Sequence, residues 1–206
     1  MAVHGRPTLR DLFDQSPTPH IAHPPQTHHR DYYVATDGSY RRSRAGIGAV
    51  IEAADGRRIA RLAAPAESPN NNVAEYRALE RGLEELAGRI STDVRVGVLV
   101  DHDRLASNVN SAVIATSRPS PTIPEGLSIP TGGEDHWDGI LELLEDFEAV
   151  RAAMVDGDQN PAHPLANAPG EYRHLEPGRA HDVRRRDAGQ IPPPSRADRP
   201  RRGRSD

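Results

Sequence analysis

The chain contains 206 residues, a length that favours one folded domain with extensions. Its hydrophobic content of 35% and mean hydropathy of −0.70 are low for a chain folded throughout, and predict disordered ends around a compact middle. Cysteine is absent, which excludes disulfides, thiolate zinc sites and a cysteine nucleophile. No apolar run has the length of a signal or membrane-spanning segment, so we expect a soluble, cytoplasmic protein with no membrane partner.

The formal net charge of −4 is unevenly distributed. From Gly178 to Asp206 the chain carries nine Arg and four Asp, so that the rest is acidic. An acidic body with a basic tail is typical of a metal-dependent enzyme that binds nucleic acid, although many disordered tails have the same composition. Residues 1–30 are rich in Pro and irregularly spaced His, which favours a disordered arm over a metal site, with a short docking turn conceivable from Leu9 to Phe13.

Three strands are predicted in the first part of the folded region. The first runs from Tyr32 to Asp37 and is followed by an arginine-bearing loop over residues 38–44. The second runs from Gly46 to Ala53, and a turn signal at Asp55-Gly56 separates it from a third, less apolar strand over residues 57–66. Because the links are short, we expect an antiparallel meander with the third strand near an edge.

A helix and a buried strand are predicted next. Asn residues at 70–72 offer N-caps, and apolar residues at steps of three and four predict a helix from Val73 to Gly88. The run from Val94 to Val100 is β-branched and apolar on both faces, which is typical of a central strand covered on both sides.

The pattern is less regular after this strand. We expect a short helix over residues 102–110, a long irregular insertion over about 111–136, and an amphipathic helix from Trp137 to Val150. A short strand from Ala152 to Val155 and a short helix from Pro161 to Ala168 follow. The predicted organisation is a disordered arm, a folded domain and a disordered Arg/Pro-rich tail, over residues 1–30, 31–177 and 178–206.

Three acids stand at comparable places in these elements. Asp37 ends the first strand, Asp101 ends the central strand, and Glu75 lies in the first turn of the helix between them. If the two strands are parallel neighbours, a right-handed crossover brings the three carboxylates together. Such hard oxygen ligands suit Mg²⁺ or Mn²⁺. Taken singly, each acid is better explained as a turn residue or a helix-terminal charge, so the prediction depends on the combination.

In this order, the motifs resemble those of type 1 ribonuclease H domains over about residues 31–175. The resemblance is carried by four pieces, namely Asp37-Gly38-Ser39, Gly46-Ile47-Gly48, Asn71-Asn72-Val73-Ala74-Glu75 and Asp101. It implies a ribonuclease H-like α/β fold, with a five-stranded mixed sheet of three antiparallel strands plus parallel strands, flanked by helices.

The resemblance also implies a function. It implies an endonuclease that hydrolyses the RNA strand of RNA–DNA hybrids, with Asp37, Glu75 and Asp101 holding two ions of Mg²⁺ or Mn²⁺. Nucleic acid would be the partner, and the substrate-binding residues it implies are Gly38, Ser39, Asn71 and Asn72. For the two asparagines, helix capping is an alternative role.

The sequence departs from the family at the fourth acidic position. The family pattern Asp-x-Leu-Ala-Asn is matched by His163-Pro164-Leu165-Ala166-Asn167, so a histidine stands where an acid is expected. A neutral imidazole can ligate a metal, and Mn²⁺ would tolerate it better than Mg²⁺. We therefore include His163 among the predicted catalytic and metal-binding residues, with Asp156 or Asp158 as acids that could compensate. The alternative is a catalytically weak or inactive ribonuclease H-fold protein that binds nucleic acid.

Phosphate contacts have no obvious source in the family pattern, because residues 102–136 match it poorly. Arg41, Arg42, Arg44 and the basic tail could supply such contacts instead. The alternative is that these arginines form only a solvated loop and tail.

Overall fold

A computed structural model of the protein describes residues 6–21, 29–91, 93–117 and 126–172. The predicted tail and parts of the predicted arm and insertion lie outside these residues. The described chain forms one five-stranded sheet of order β3-β2-β1-β4-β5. Its strands are β1 (Tyr32–Arg41), β2 (Arg44–Ala53), β3 (Arg58–Ala66), β4 (Arg95–Val100) and β5 (Ala149–Met154). Its helices are α1 (Leu9–Gln15), α2 (Asn71–Ala87), α3 (Asp103–Thr116), α4 (Glu134–Glu145) and α5 (His163–Asn167), with a 3₁₀ turn at Pro169–Tyr172.

The sheet is mixed, as predicted. Strands β1, β2 and β3 are antiparallel neighbours, whereas β4 lies parallel to both β1 and β5. The turn predicted at Asp55-Gly56 joins β2 to β3, and Gly56 adopts φ +80°, a conformation that glycine reaches without steric cost. The third strand lies at one edge, and β4 lies between two parallel neighbours.

Helices cover both faces of the sheet. On one face, α2, α3 and α4 bury Leu79, Leu83, Val109 and Ile140 against the side chains of β4 that include Val98. On the other face, α1 and α5 pack against alternate residues of the same strands. Since side chains alternate along a strand, Tyr33, Ala35 and Asp37 all point to the face that α1 and α5 cover.

The prediction of a disordered arm is wrong for the part that forms α1. Thr8 caps this helix in a capping box with Asp11, and the backbone N–H of Leu9 donates to Glu52 Oε2 at 2.8 Å. Phe13 is fully buried on the sheet. The burial of apolar side chains and the capping box stabilise this short helix. The proline-rich composition of residues 1–30 gave no indication of that stability.

The predicted bounds of three elements in the second half are also wrong. Helix α3 continues to Thr116, because Ala112 and Ala115 extend its buried face into the predicted insertion. Helix α4 begins earlier than predicted, at Glu134, and ends at Glu145. Val150 follows the helical spacing but pairs with Val96 in the parallel sheet, so β5 begins at Ala149.

Within the described chain, no helix combines the length and apolarity needed to cross a membrane.

Candidate metal centre

The stagger between β1 and β4 brings Asp37 near Asp101. Asp37 lies within β1 rather than at its end, because β1 continues to Arg41 in its hairpin with β2. Parallel pairing with β4 stops at the pair Ala35–Leu99. Extending this register by two residues places Asp37 beside Asp101, the first residue after β4. The predicted approach of Asp37 to Asp101 is therefore present, although β1 does not end on its acid.

Helix α2 brings Glu75 near Asp37 and Asp101, although Glu75 is not part of the group of possible metal ligands that these two acids form with His163. A Cβ added at Gly38 would lie 2.2 Å from the Ala74 carbonyl carbon, so only glycine lets the helix approach β1 this closely. Glu75 Oε2 accepts a hydrogen bond of 2.9 Å from the Gly38 N–H. This N–H is free to bond with Glu75 because the pairing of β1 with β4 stops before Gly38. Because α2 starts at Asn71, Glu75 lies beyond the first turn, which contains no acidic residue. The alternative explanation of Glu75 as a first-turn charge is therefore wrong.

Asp37 is the buried centre of the cluster. Its side chain is 2% exposed, and its Oδ2 atom has no hydrogen-bond partner within the described chain. One ligand atom from each of Asp37, Asp101 and His163 can be chosen so that all three lie within 4.8 Å of one another. Asp156 and Asp158, the predicted compensating acids, are exposed and do not belong to this group.

The carboxylates destabilise one another's charged forms. Burial raises the pKa of Asp37 to about 7, with a further contribution from the charge of Asp101, while the hydrogen bond with His163 opposes the rise. Burial raises the pKa of Glu75 to about 9, and the charges of Asp101 and Asp37 add to it. Repulsion among buried carboxylates, together with an unpartnered carboxylate oxygen, fits a hard divalent cation, which would offset both effects.

His163, which lies on α5, forms a hydrogen bond with Asp37 from the face of the sheet opposite to α2. Its Nδ1 lies 3.2 Å from Asp37 Oδ1. Asn167 Nδ2 donates to the backbone carbonyl of His163 at 3.0 Å, which identifies this atom as the amide nitrogen, and it also lies 3.0 Å from His163 Nε2. Since the amide nitrogen can only donate, Nε2 accepts and the proton of the neutral imidazole is on Nδ1. Asn167 was not predicted as a site residue, although it closes the motif that contains His163.

The glycines of β2 allow α5 to carry His163 to this position. A Cβ at Gly48 would lie 2.5 Å from the Ala162 carbonyl oxygen, and one at Gly46 would lie 2.2 Å from that of Ala166. Ser39 Oγ donates to the Ala166 carbonyl at 2.6 Å and fastens α5 to β1. The Gly-x-Gly pattern therefore reflects the close approach of α5 to the sheet.

Asn160 fixes the segment between β5 and α5 and was also missed. Its side chain is 2% exposed, donates to the Thr36 carbonyl at 2.8 Å and accepts from the Ala162 N–H at 3.0 Å. It thereby ties this segment to the residue before Asp37. A polar residue in a predicted loop carries no sequence signal for such a contact.

The residues predicted to bind substrate have distinct positions. Asn70 accepts from the Val73 N–H and is the N-cap of α2, so the capping role considered for Asn71 and Asn72 is wrong. Asn71 Oδ1 accepts from the Tyr40 N–H at 3.1 Å, and its Nδ2 approaches Glu75 Oε1 at 3.4 Å, while Asn72 is exposed. Gly38 is packed under α2, as described above.

A basic cleft adjoins the cluster at the β1–β2 hairpin. The cleft has a volume of about 460 Å³ and is lined in part by Ser39, Arg41, Arg44 and Asn167. At the hairpin turn, Arg42 and Ser43 adopt positive φ values of 50° and 59°, which are uncommon for residues other than glycine. The predicted loop at residues 38–44 is thus a tight turn between longer strands, and it displays exposed arginines beside the site.

Solved structures share this arrangement of strands and helices. RNase H1 from the halophilic archaeon Halobacterium salinarum is 21% identical, with a TM-score of 0.55 over 68% of this chain and 98% of that one. The protein has a ribonuclease H fold. The N-terminal RNase H domain of Rv2228c from Mycobacterium tuberculosis is 22% identical, with a TM-score of 0.55 over 78% and 100% of the two chains. LC11-RNase H1, isolated from compost and solved in complex with an RNA/DNA hybrid, is 24% identical, with a TM-score of 0.54 over 66% and 94%.

A sequence-family comparison agrees with the ribonuclease H fold. A family model described as reverse transcriptase-like matches residues 35–124. That range includes Asp37, Glu75 and Asp101, but it ends before His163. A comparison with curated proteins finds no significant match. The resemblance drawn from the sequence motifs is confirmed by the family model and the solved structures.

Proposed function

We propose that the protein is a metal-dependent endonuclease that hydrolyses the RNA strand of RNA–DNA hybrids. The observation that carries this proposal is the grouping of Asp37 and Asp101 with His163 within a ribonuclease H fold, with Asp37 Oδ2 buried and unpartnered in the described chain. Glu75 lies near enough for the charges of Asp101 and Asp37 to raise its pKa. The similar LC11-RNase H1 was solved with an RNA/DNA hybrid, which supports this class of substrate.

Two divalent cations, Mg²⁺ or Mn²⁺, would supply the activation of a water molecule and the stabilisation of the leaving oxygen. The chain's own contribution is to hold the carboxylates of Glu75 and Asp37 in place before any cation arrives. Glu75 is held by the Gly38 N–H and by Asn71, while Asp37 is held by His163. These contacts use both carboxylate oxygens of Glu75 and Asp37 Oδ1, and they leave Asp37 Oδ2 for cation binding.

His163 has two candidate roles. As a metal ligand through Nδ1 it would have to carry its proton on Nε2, which faces the donating amide nitrogen of Asn167. As a hydrogen-bond donor to Asp37 it keeps the arrangement seen in the structure. We therefore propose that His163 positions Asp37, that Asn167 sets its tautomer, and that ligation by His163 is the alternative to be tested.

Substrate contacts are proposed along the cleft beside the cluster. The exposed amide of Asn72 can both donate and accept, which suits the sugar and base edges of a hybrid. Arg41 and Arg44 line the cleft and can bind phosphate oxygens of the substrate backbone. Ser39 is engaged with Ala166, so its proposed substrate contact would involve its backbone.

The test is cleavage of a hybrid labelled on either strand, assayed with Mg²⁺, with Mn²⁺ and with a chelator. We expect cleavage of the RNA strand alone, in either or both metals, and none with chelator. Single-stranded RNA and duplex DNA of the same sequence are the controls. Cutting that persists in chelator, or an intact RNA strand in both metals, would contradict the proposal.

The second candidate is a nucleic-acid-binding protein with weak or no activity. It is favoured by one observation, the histidine at the fourth acidic position of the motif. Its signature would be retained hybrid binding without cleavage in either metal.

A further inference from the structure

An apolar groove lies between α3, α4 and the start of β5. Its volume is about 910 Å³. The apolar side chains that line it include Val113, Trp137, Leu141, Leu144, Phe147 and Val150. Val113, Leu141 and Leu144 are only half-buried, so the groove presents apolar surface to water. A concave apolar surface of this kind is typical of a binding site.

The rim of the groove is acidic. Asp138, Glu145 and Glu148 line it and are exposed. Glu148 pairs with Arg95, but within the part of the chain that the structure describes neither Asp138 nor Glu145 forms an ion pair. Residues 133–150 carry acids at positions 134, 135, 138, 142, 145, 146 and 148, and they contain no Arg or Lys. This charge repels the phosphates of a nucleic acid and favours an occupant that is both apolar and basic.

The groove is remote from the candidate metal centre. Ala149, which lines the groove, pairs with Arg95 at the start of β4, whereas Asp101 follows the end of that strand. Six residues of extended strand separate Arg95 from Asp101, a distance of about 20 Å. The groove is therefore a site separate from the carboxylate cluster.

The chain itself contains a segment of the required composition. Residues 178–206 carry nine Arg and four Asp, and the arginine triplet at 184–186 is flanked by Val183 and Ile191. The described chain ends at Tyr172, whose ring centroid lies 5.7 Å from the guanidinium carbon of Arg61 on β3. Strand β3 is four strand spacings from β5, about 19 Å across the sheet. Val183 can lie up to about 40 Å from Tyr172 and Ile191 up to about 65 Å, so residues 183–191 can reach the groove.

We propose that residues 183–191 bind in this groove of the same chain. Val183 and Ile191 cover its apolar surface, and the arginine triplet pairs with Asp138 and Glu145 at its rim. Because the segment is joined to the domain, its effective concentration at the groove is of the order of 1 mM. An intrinsic dissociation constant of about 100 μM is then enough to keep about nine-tenths of the chains docked.

The experiment uses the fluorescence of Trp137 in the full chain. The sequence contains one Trp and no Cys, so a nitroxide attached to Ala188→Cys reports only its approach to Trp137 in the groove. The same cysteine carrying a diamagnetic analogue of the label is the control. We expect most of the emission to be quenched at low salt and to return at about 1 M salt, where the Debye length is about 3 Å. Quenching should not change on dilution over about a hundredfold range, because the segment and the groove belong to one chain.

Charge removal at the rim should weaken docking. In the labelled chain, Asp138→Asn/Glu145→Gln should raise the dissociation constant of docking about tenfold, so that quenching falls to about half. Glu134→Gln/Asp135→Asn is the matched control, since it removes the same charge from exposed positions of α4 that do not line the groove, and it should keep the wild-type quenching.

Charge removal in the segment should have the same effect as at the rim. The triplet variant Arg184→Gln/Arg185→Gln/Arg186→Gln should also lose about half of the quenching. Its matched control removes three charges outside residues 183–191, as Arg199→Gln/Arg201→Gln/Arg202→Gln, and should keep it.

Three results would overturn the proposal. The first is Trp137 emission that is equal with the nitroxide and with its diamagnetic analogue, which would leave the groove without this segment. The second is an equal loss of quenching in the two triple-arginine variants, which would indicate only a general attraction between charges. The third is quenching that disappears on dilution, which would mean that the groove holds the segment of a second copy. No readout involves nuclease activity, so the proposed function can fail without affecting this result.

Discussion

The imidazole Nδ1 of His163 lies 3.2 Å from Asp37 Oδ1, and this contact links the unexpected residue of the motif to its most buried acid. A carboxylate at position 163 would add a negative charge beside Asp37. A neutral imidazole instead offers a proton. The histidine at the acidic position of the motif therefore changes how Asp37 is held when no cation is bound.

The first prediction separates the two roles of His163. In His163→Asn the amide nitrogen can replace Nδ1 as the donor to Asp37, but no imidazole remains to ligate a metal. If His163 positions Asp37, His163→Asn should keep hybrid cleavage within about tenfold of the wild type, whereas His163→Ala should lose about 10–100-fold. Equal losses in both variants would favour ligation. Metal affinity, measured by calorimetry, should follow the same order.

The second prediction concerns the acid that the motif lacks. His163→Asp should raise Mg²⁺-supported cleavage relative to Mn²⁺-supported cleavage, because Mg²⁺ prefers carboxylate oxygen to imidazole nitrogen. In the metal-free protein the same change should lower Tm, since a further carboxylate would face Asp37. An unchanged ratio of Mg²⁺ to Mn²⁺ activity would place residue 163 outside the cation site.

The third prediction concerns the tautomer that Asn167 sets. In the metal-free wild type, ¹⁵N NMR of the His163 ring should show a protonated Nδ1 and an unprotonated Nε2. In Asn167→Asp an acceptor faces Nε2, so the ring should become protonated there, and cleavage should fall. A wild-type ring protonated on Nε2 would contradict the proposed positioning role. Spectra of His163→Asn identify the signal.

The fourth prediction follows from the raised pKa values of Asp37 and Glu75, about 7 and about 9. In chelator, the folded protein keeps protons on these groups that the unfolded chain has lost. The associated stability is complete below about pH 4 and is lost as the pH rises through 7 and 9, so Tm should fall from pH 5 to pH 9. Mn²⁺ should reduce this fall, and Asp37→Asn/Glu75→Gln should flatten the metal-free profile. A metal-free Tm that rises over this range would contradict the assignment.

The fifth prediction tests the approach of α5 to the sheet. Gly48→Ala would place a methyl group 2.5 Å from the Ala162 carbonyl oxygen, and should lower the free energy of unfolding by about 1–3 kcal/mol, measured in urea. Cleavage should fall as well, because α5 carries His163. Gly170→Ala is the matched control, since its methyl group would meet nothing within 4 Å. Equal stability of the two variants would contradict the packing role of the Gly-x-Gly pattern.

The sequence predicted the parts of the fold that depend on local pattern. The central strand before Asp101 and the helix that carries Glu75 were recognised because their apolar periodicity is strong and continuous. The pairing that brings Asp37 beside Asp101 was predicted only in outline, because the stagger of parallel strands depends on packing between distant segments. The helix at Leu9–Gln15 was predicted only as a short docking turn from Leu9 to Phe13, because seven residues give too little periodicity to outweigh a proline-rich context.

In the candidate site, too, residues in local motifs could be predicted, whereas residues placed by contacts between distant segments could not. Its three acids stand in motifs and could be assigned from the sequence. Asn160 and Asn167 could not, since their hydrogen bonds join Thr36 and His163 through the chain's path after β5. The tautomer of His163 is likewise a property of its neighbours and has no counterpart in the sequence.

Cleavage by Asp37→Asn tests the central claim most directly. The variant keeps the size of the side chain but removes its charge, and Asp135→Asn, at the exposed start of α4, is the matched control. On a labelled RNA–DNA hybrid in Mn²⁺, we predict that Asp37→Asn loses about 100-fold or more in single-turnover rate while it still binds the hybrid, and that Asp135→Asn cleaves as the wild type does. Cleavage by Asp37→Asn at the wild-type rate would contradict the proposal that this carboxylate cluster is the catalytic metal centre.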